Sequence, residues 1–189
     1  ALTHDLSRRL RKPIRLDFED ADVTIDRRVL HVLRAPLVHL VRNAADHGLE
    51  RPQERERLGK PPVGAIQLSA RRGGGRIVLE VADDGRGIQA QQVRRKIVER
   101  GMASAAEAAA LPGRAVLGYL FRPGFSTATT VSAVSGHGIG LDAVHAALKE
   151  IDGTVTLDSA PGHGTRVSLS LPDEAASDPV THPQAFAAI

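Results

Sequence analysis

The 189-residue chain contains no cysteine and no tryptophan, and only one tyrosine and four phenylalanines. Without cysteine there is no disulfide framework, no thiolate-ligated zinc or iron–sulfur centre and no thiol nucleophile. With so few rings the core must be aliphatic, and little is left to stack on nucleic-acid bases. No apolar run reaches the ~18–20 residues of a membrane span. The N-terminal stretch ALTHDLSRRLRK lacks the apolar segment of a signal peptide. No repeat of ~20–50 residues is present. Gly-x-x-x-x-Gly-Lys-[Ser/Thr] occurs nowhere, which excludes a Walker-type phosphate loop.

Hydrophobic residues make up 42 % of the chain, enough for an ordinary single-domain core. Lys plus Arg is 25 against 22 Asp plus Glu, a net charge of +3 with a pI near 9.8. Only residues 12, 60, 96 and 149 are lysine, so 21 of the 25 are arginine. These charges are scattered rather than clustered, which argues against a nucleic-acid partner.

Residues 1–11 read as the end of a helix stopped by Pro13. Residues 14–18 alternate as a strand, paired in this reading with residues 23–25. Asp26 is a candidate cap for a helix running to Gly48, with Pro36 marking a break or a fresh start inside it. Residues 49–62 are charged, contain three prolines and read as a loop with one helical turn. Residues 65–71 and 76–82 form a hairpin across Gly73-Gly74-Gly75. Helices are expected over 89–100, 103–111, 115–121 and 139–151, a long loop over 122–138, and a second hairpin over 154–158 and 165–171. The tail from Asp173 reads as loose. Strand pairs separated by helices predict an α/β two-layer sandwich, a mixed β-sheet with helices on one face.

The helix 35–48 carries the most informative pattern. At ~100° per residue, Leu33, Leu37, Leu40, Val41 and Ala44 fall on one side. His39, Arg42, Asn43, Asp46 and His47 fall on the other. A solvated face favours Glu, Lys and Gln over Asn and Asp, so this set reads as a binding surface or, more blandly, as a polar helix face. The turn Asp83-Asp84-Gly85-Arg86-Gly87-Ile88 follows a strand. Its Asp is placed to accept from an exocyclic amine or simply to cap, and its glycines let a ligand approach closely. Gly136-His137-Gly138-Ile139-Gly140 precedes a helix whose N-terminus offers N–H groups to phosphate. Its spacing misses the dinucleotide fingerprint by one residue, because position 141 is Leu.

Taken in order, five segments resemble the ATP-binding fold shared by gyrase, heat-shock chaperones, histidine kinases and mismatch-repair ATPases. They are His39-x-x-Arg42-Asn43-Ala44-x-Asp46-His47-Gly48, Asp83-x-Gly85-x-Gly87, Phe121-x-Pro123-Gly124-Phe125-Ser126-Thr127, Gly136-x-Gly138-x-Gly140-Leu141-Asp142 and Gly162-x-Gly164-Thr165. The resemblance is closest to CheA-type chemotaxis histidine kinases. His39 stands four residues before Asn43, where much of the superfamily has a carboxylate. The resemblance spans residues 5–171 and implies a Bergerat-type fold that binds Mg²⁺ and ATP. It implies that Asp83, supported by Thr165, accepts from the adenine amine, and that Asn43 holds Mg²⁺. His39 is then either a second metal ligand or the group that orients or deprotonates the attacking atom. Gly136, His137, Gly138, Gly140 and Leu141 would border the phosphates. Arg42, Asp46, His47, Gly85, Gly87, Ile88 and Ser126 would line the nucleotide, under a lid formed by residues 121–138. Lys96 is either a phosphate-reaching cation or a solvated helix lysine. The chain departs from the resemblance at Gln92, at His163 between the last glycines, and at Leu10-Arg11-Lys12.

The expected organisation is the end of a dimerisation helix or linker over 1–11, an ATP-binding kinase catalytic domain over 12–172 and a tail or linker over 173–189. His4 is too near Asn43 for an intervening helical hairpin. The expected acceptor is therefore a histidine on a separate phosphotransfer domain. Response regulators and, through the full-length protein, a coupling adaptor and chemoreceptors are the further implied partners; the isolated domain is expected to be a cytoplasmic monomer without membrane insertion. A related ATPase or a degenerate docking module of the same fold is the alternative.

Overall fold

The computed structural model describes residues 2–20, 23–125 and 140–173. Five strands form one sheet: β1 (Ile14–Asp20), β2 (Gly64–Gly73), β3 (Arg76–Asp83), β4 (Thr154–Ser159) and β5 (Thr165–Pro172), in the order β1-β2-β3-β5-β4. β1 runs parallel to β2, and every other pairing is antiparallel. The helices are α1 (Leu2–Leu10), α2 (Arg27–Asn43), α3 (Pro52–Arg57), α4 (Ala90–Glu99), α5 (Ala105–Ala110), α6 (Gly113–Gly118) and α7 (Leu141–Lys149).

Strand register assigns the two faces. Leu68, Val81 and Val167 are cross-strand neighbours, as are Ala70, Leu79 and Leu169. All six are buried with Leu33, Leu37 and Leu40 of α2, Ile97 of α4 and Leu148 of α7. The intervening positions Gln67, Ser69, Arg71, Glu80 and Ser168 form the opposite, polar face. There Glu80 accepts from Arg71 (3.1 Å) and from the Ser168 hydroxyl (2.8 Å). The expected two-layer sandwich, a mixed sheet with helices on one face, is what forms. The reason is the alternation of period 2 in the strands against 3.6 in the helices.

Three expectations need correction. Residues 23–25 are not the partner of β1, which pairs instead with β2 from Ile14↔Gly64 to Asp20↔Ala70. Residues 23–26 serve as the entry to α2, with Ile25 buried and Asp26 accepting from the Arg28 N–H at 2.7 Å. Pro36 does not break α2, which runs unbroken for 17 residues. Pro36 costs the helix one backbone bond, but it is buried between Leu33 and Leu37, and that packing holds the turn in place. Nor does α2 end as an α-helix. From Ala44 to Gly48 the chain widens into a π-turn, closed by the Leu49 N–H donating to the Ala44 carbonyl at 2.8 Å.

α1 ends in a Schellman motif. The N–H groups of Arg11 and Lys12 donate to the carbonyls of Arg8 (3.4 Å) and Ser7 (3.2 Å). The motif's left-handed position, where glycine is favoured, is Arg11 at φ 52°. Arg11→Gly is expected to stabilise the chain by about 0.5–1 kcal/mol in urea unfolding, because it relieves that conformation at the cost of some unfolded-state entropy.

Candidate functional site

The site forms where three turns meet at one end of the core face. They are the π-turn Ala44–Gly48, the turn following β3, and the β4–β5 turn of residues 160–164. Main-chain bonds lock them together: the Arg86 N–H donates to Gly48 O (3.0 Å), and the Gly162 N–H donates to Arg86 O (2.7 Å). Asp83, the last residue of β3, stands at the centre and faces Thr165 across the β3–β5 ladder. Its Oδ1 accepts from the Gly85 N–H at 2.9 Å, and the Thr165 N–H also donates to its carboxylate. Burial, reinforced by the charges of Asp84 and Glu50, outweighs those two bonds and pushes the Asp83 carboxyl up to about 6.

The glycines explain how the turns come so close. A Cβ on Gly48 would lie 2.9 Å from Asp83 Oδ2. One on Gly85 would collide with the Gly48 carbonyl, one on Gly87 with the Ala160 carbonyl, and one on Gly164 with the Asp83 carbonyl. Gly87 (φ 67°) and Gly164 (φ 80°) also occupy left-handed conformations. Gly85 and Gly87 were read as room for a ligand. In the structure their bare Cα atoms make room for neighbouring main chain, the carbonyls of Gly48 and Ala160.

A cavity of about 870 Å³ opens beside Asp83, with Ile88, Leu117, Gly164 and Thr165 among its walls. Ser159 belongs to this wall and was missed in the sequence. Its hydroxyl donates to Gly164 O (2.8 Å), accepts from the Ile88 N–H (2.9 Å) and lies 3.0 Å from the Thr165 hydroxyl. Only the β4–β5 register, which sets Ser159 opposite Thr165, could have pointed to it.

His39, Arg42 and Asn43 lie along α2 outside that cavity. The Asn43 amide nitrogen donates to His39 Nε2 at 2.8 Å, so the Asn43 carbonyl oxygen is left for another partner. Burial, and then the charge of Arg42, lowers the His39 pKa and keeps the ring neutral at pH 7. The Arg42 Nε is a buried donor with no hydrogen-bond partner among the described residues, the kind of group that a bound anion satisfies. Asp46 and His47 sit exposed on the π-turn. Its inner side is clamped by Lys12, whose Nζ donates to the carbonyls of Ala45 (2.9 Å), Asp46 (2.7 Å) and Leu49 (2.8 Å). Gly140 caps α7, Leu141 packs on the core, and the field of Asp142 reaches His39.

Lys96 is exposed in the last turn of α4 and is not among the residues that line the cavity beside Asp83. Ser126, Gly136, His137 and Gly138 lie outside the described residues. The segment leading toward them is anchored at Phe125, which is buried beneath Arg100, with the guanidinium 5.7 Å from the ring centre.

No helix among the described residues is long and apolar enough to cross a membrane. The family described as "Histidine kinase-, DNA gyrase B-, and HSP90-like ATPase" matches residues 32–175. The chain is 44 % identical to the chemotaxis protein CheA of Treponema pallidum, covering 90 % of this chain and 21 % of that protein. It is 42 % identical to the CheA of Halobacterium salinarum, covering 90 % of this chain and 26 % of that protein. It thus spans about a fifth to a quarter of the length of these relatives. Among solved structures, the catalytic domain of the histidine kinase ThkA superposes with a TM-score of 0.52 at 15 % identity, covering 91 % of this chain and 90 % of that one. Full-length ShkA in complex with AMPPNP superposes with a TM-score of 0.55 at 19 % identity, covering 90 % and 28 %. These two share the fold. The chain therefore belongs to the histidine kinase-, DNA gyrase B- and HSP90-like ATPase family.

Proposed function

We propose that the chain is the catalytic ATP-binding domain of a CheA-like two-component histidine kinase. It binds Mg²⁺-ATP and directs the γ-phosphate to a histidine on a separate phosphotransfer domain. The observation that carries this reading is Asp83: a carboxylate in the wall of a cavity of about 870 Å³, anchored by the Gly85 N–H and desolvated to a pKa of about 6. That is the group needed to read an exocyclic amine, and it stands where the resemblance requires it. Identity above 40 % over nine-tenths of the chain to two chemotaxis proteins CheA supports the CheA branch of the family. By the same argument the partners are a phosphotransfer domain, response regulators and, through the full-length protein, a coupling adaptor and chemoreceptors, with this domain on the cytoplasmic side.

Each residue then has a task. Asp83 accepts from the adenine amine, and Ile88 and Leu117 cover the ring. Arg42 offers its unpaired Nε to a phosphate oxygen. The Asn43 carbonyl oxygen suits Mg²⁺, which prefers hard oxygen donors and takes few of them from protein when phosphates complete its shell. When bound, the cation would offset the charge of the phosphates. His39, neutral and engaged through Nε2, keeps that oxygen aimed outward. This favours an orienting role for His39 over direct ligation, because its Nε2 lone pair is already used. Gly140 at the start of α7 provides a helix N-terminus for the phosphates.

Two measurements test the reading. In thermal unfolding with Mg²⁺ and a non-hydrolysable ATP analogue near 100 times Kd, stabilisation should be about 2.7 kcal/mol. For a chain of this size that is worth ~2–4 °C per kcal/mol. The GTP analogue should do much less. With radiolabelled ATP, the chain should label an added phosphotransfer domain and not itself. No melting shift with the adenine nucleotide, or no label on any acceptor, would overturn the proposal.

A further inference from the structure

In a chain with 21 arginines and four lysines, Lys60 takes a place that an arginine could not fill. It stands between α3 and β2, in the charged segment that reads in the sequence as a loop with one helical turn. Its Nζ donates to Glu50 Oε1 (2.9 Å), Asp84 O (2.9 Å) and Gly85 O (2.7 Å), which uses all three N–H bonds of the ammonium. A planar guanidinium spreads its donors in a fork and cannot converge on three such acceptors. Two of those acceptors are the main-chain carbonyls immediately after Asp83.

The clamp is internally neutral, with Glu50 and Arg55 buried and Lys60 and Asp84 partly exposed. Glu50, whose side chain is fully buried, bonds Lys60 through Oε1 and Arg55 Nη1 through Oε2 (3.0 Å). Arg55, only 1 % exposed, continues to Asp84 Oδ2 (2.7 Å) and to Pro61 O (2.6 Å). Asp84 Oδ1 accepts from the Ala65 N–H at 3.0 Å. Two cations and two carboxylates thus hold the 84–85 turn from behind. Glu50 lies two residues past Gly48, so the same cluster ties that turn to the end of the π-turn following Asn43.

Resting on the nucleotide-binding reading, we infer that Lys60, with Glu50 and Arg55, is a positioning residue for adenine recognition. It reaches no ligand itself. It fixes the carbonyls of Asp84 and Gly85, and so sets the direction in which the Asp83 carboxylate points. Burial of the Glu50–Arg55 pair is weak ground for stability, since desolvation offsets most of the attraction. Their convergence on the one turn beside Asp83 is what marks them as a positioning device.

The test is the selectivity for base. Lys60→Met and Lys60→Arg are compared with the wild-type chain by titration with Mg²⁺-ADP and Mg²⁺-GDP, alongside melting curves. GDP lacks the adenine amine and does not draw on Asp83 in the same way. In Lys60→Met the ADP affinity should fall about tenfold while GDP binding changes little, so the preference for ADP collapses. Lys60→Arg keeps the charge without the convergent donors and should recover only part of that preference. A variant that merely loosens the scaffold would lose both nucleotides in proportion. An unchanged ADP-to-GDP ratio in cooperatively folded variants would overturn the inference. So would failure of both variants to fold, which would make the cluster a scaffold element alone. A wild-type chain that does not distinguish ADP from GDP would overturn the functional proposal instead.

Discussion

Asp83→Asn is expected to give a chain that is more stable at pH 7.5 and binds adenine nucleotide far more weakly. The carboxyl titrates near 6 in the folded chain against an ordinary 3.8, because it is buried. Its ionisation therefore opposes folding. Stability is fully present below pH 3.8 and is lost as the pH rises through about 6, and the loss is about 3 kcal/mol at most. Asparagine stays neutral throughout, and its amide oxygen can still accept from the Gly85 N–H. The variant should thus melt higher than wild type at pH 7.5, and the gap should close as the pH is lowered toward 4. Binding should move the other way. With the amide oxygen held by the Gly85 N–H, the amide nitrogen is the group left to meet the adenine amine, donor against donor. Losing an acceptor of this kind costs about 1.5–3 kcal/mol, roughly ten- to a hundredfold in affinity. The same chemistry predicts that wild-type affinity for ADP falls as the pH drops through about 6. Paired melting and titration series check both halves, and a variant that melts lower, or binds ADP as tightly as wild type, would remove Asp83 from the role assigned to it.

Gly164→Ala is expected to be among the most damaging single substitutions in the chain. The added methyl would collide with the Asp83 carbonyl, and the residue is at φ 80°. Overpacking costs about 1–3 kcal/mol and a left-handed alanine about 1–2, so the sum is about 2–5 kcal/mol. Natural domains have a total of only ~5–15 kcal/mol to lose. Gly162 supplies the control. It is at φ 81° in the same turn, but a Cβ there would meet nothing within 4 Å. Gly162→Ala should therefore cost only the conformational part, about 1–2 kcal/mol. Urea unfolding of both variants separates strain from collision, and equal losses would show that the packing of the 160–164 turn on Asp83 carries no weight.

Much of the architecture is legible because local signals and tertiary demands agree. Residues 65–71 and 76–82 alternate cleanly around three glycines, and Gly74 and Gly75 do adopt the left-handed turn that hairpins favour. The polar and apolar sides of α2 separate in the structure as their spacing requires, with Leu33, Leu37 and Leu40 inside. The misreadings have a common cause. The partner of β1 lies about 50 residues away, and a parallel pairing leaves no turn signal between its strands. Pro36 looks like a helix breaker by local rules, and only burial on both sides overrides them. The widening of α2 after Asn43 has no compositional mark. It depends on Lys12, brought against Ala45 and Asp46 from a different part of the chain.

By itself, the sequence determined the fold class, the aliphatic core, the polar face that carries His39 and Asn43, and the family resemblance. Those properties follow from residue type and short-range spacing, which backbone geometry converts directly into faces and turns. Tertiary structure alone decided three other matters. The glycines around Asp83 are needed because chain meets chain there. The Asp83 carboxyl titrates near 6 because burial outweighs the hydrogen bonds that would lower its pKa. Glu50, Arg55 and Lys60, ordinary charges in an apparent loop, converge on the turn that aims it. Burial and the convergence of donors are properties of distances between residues far apart in the chain, and no local spacing encodes them.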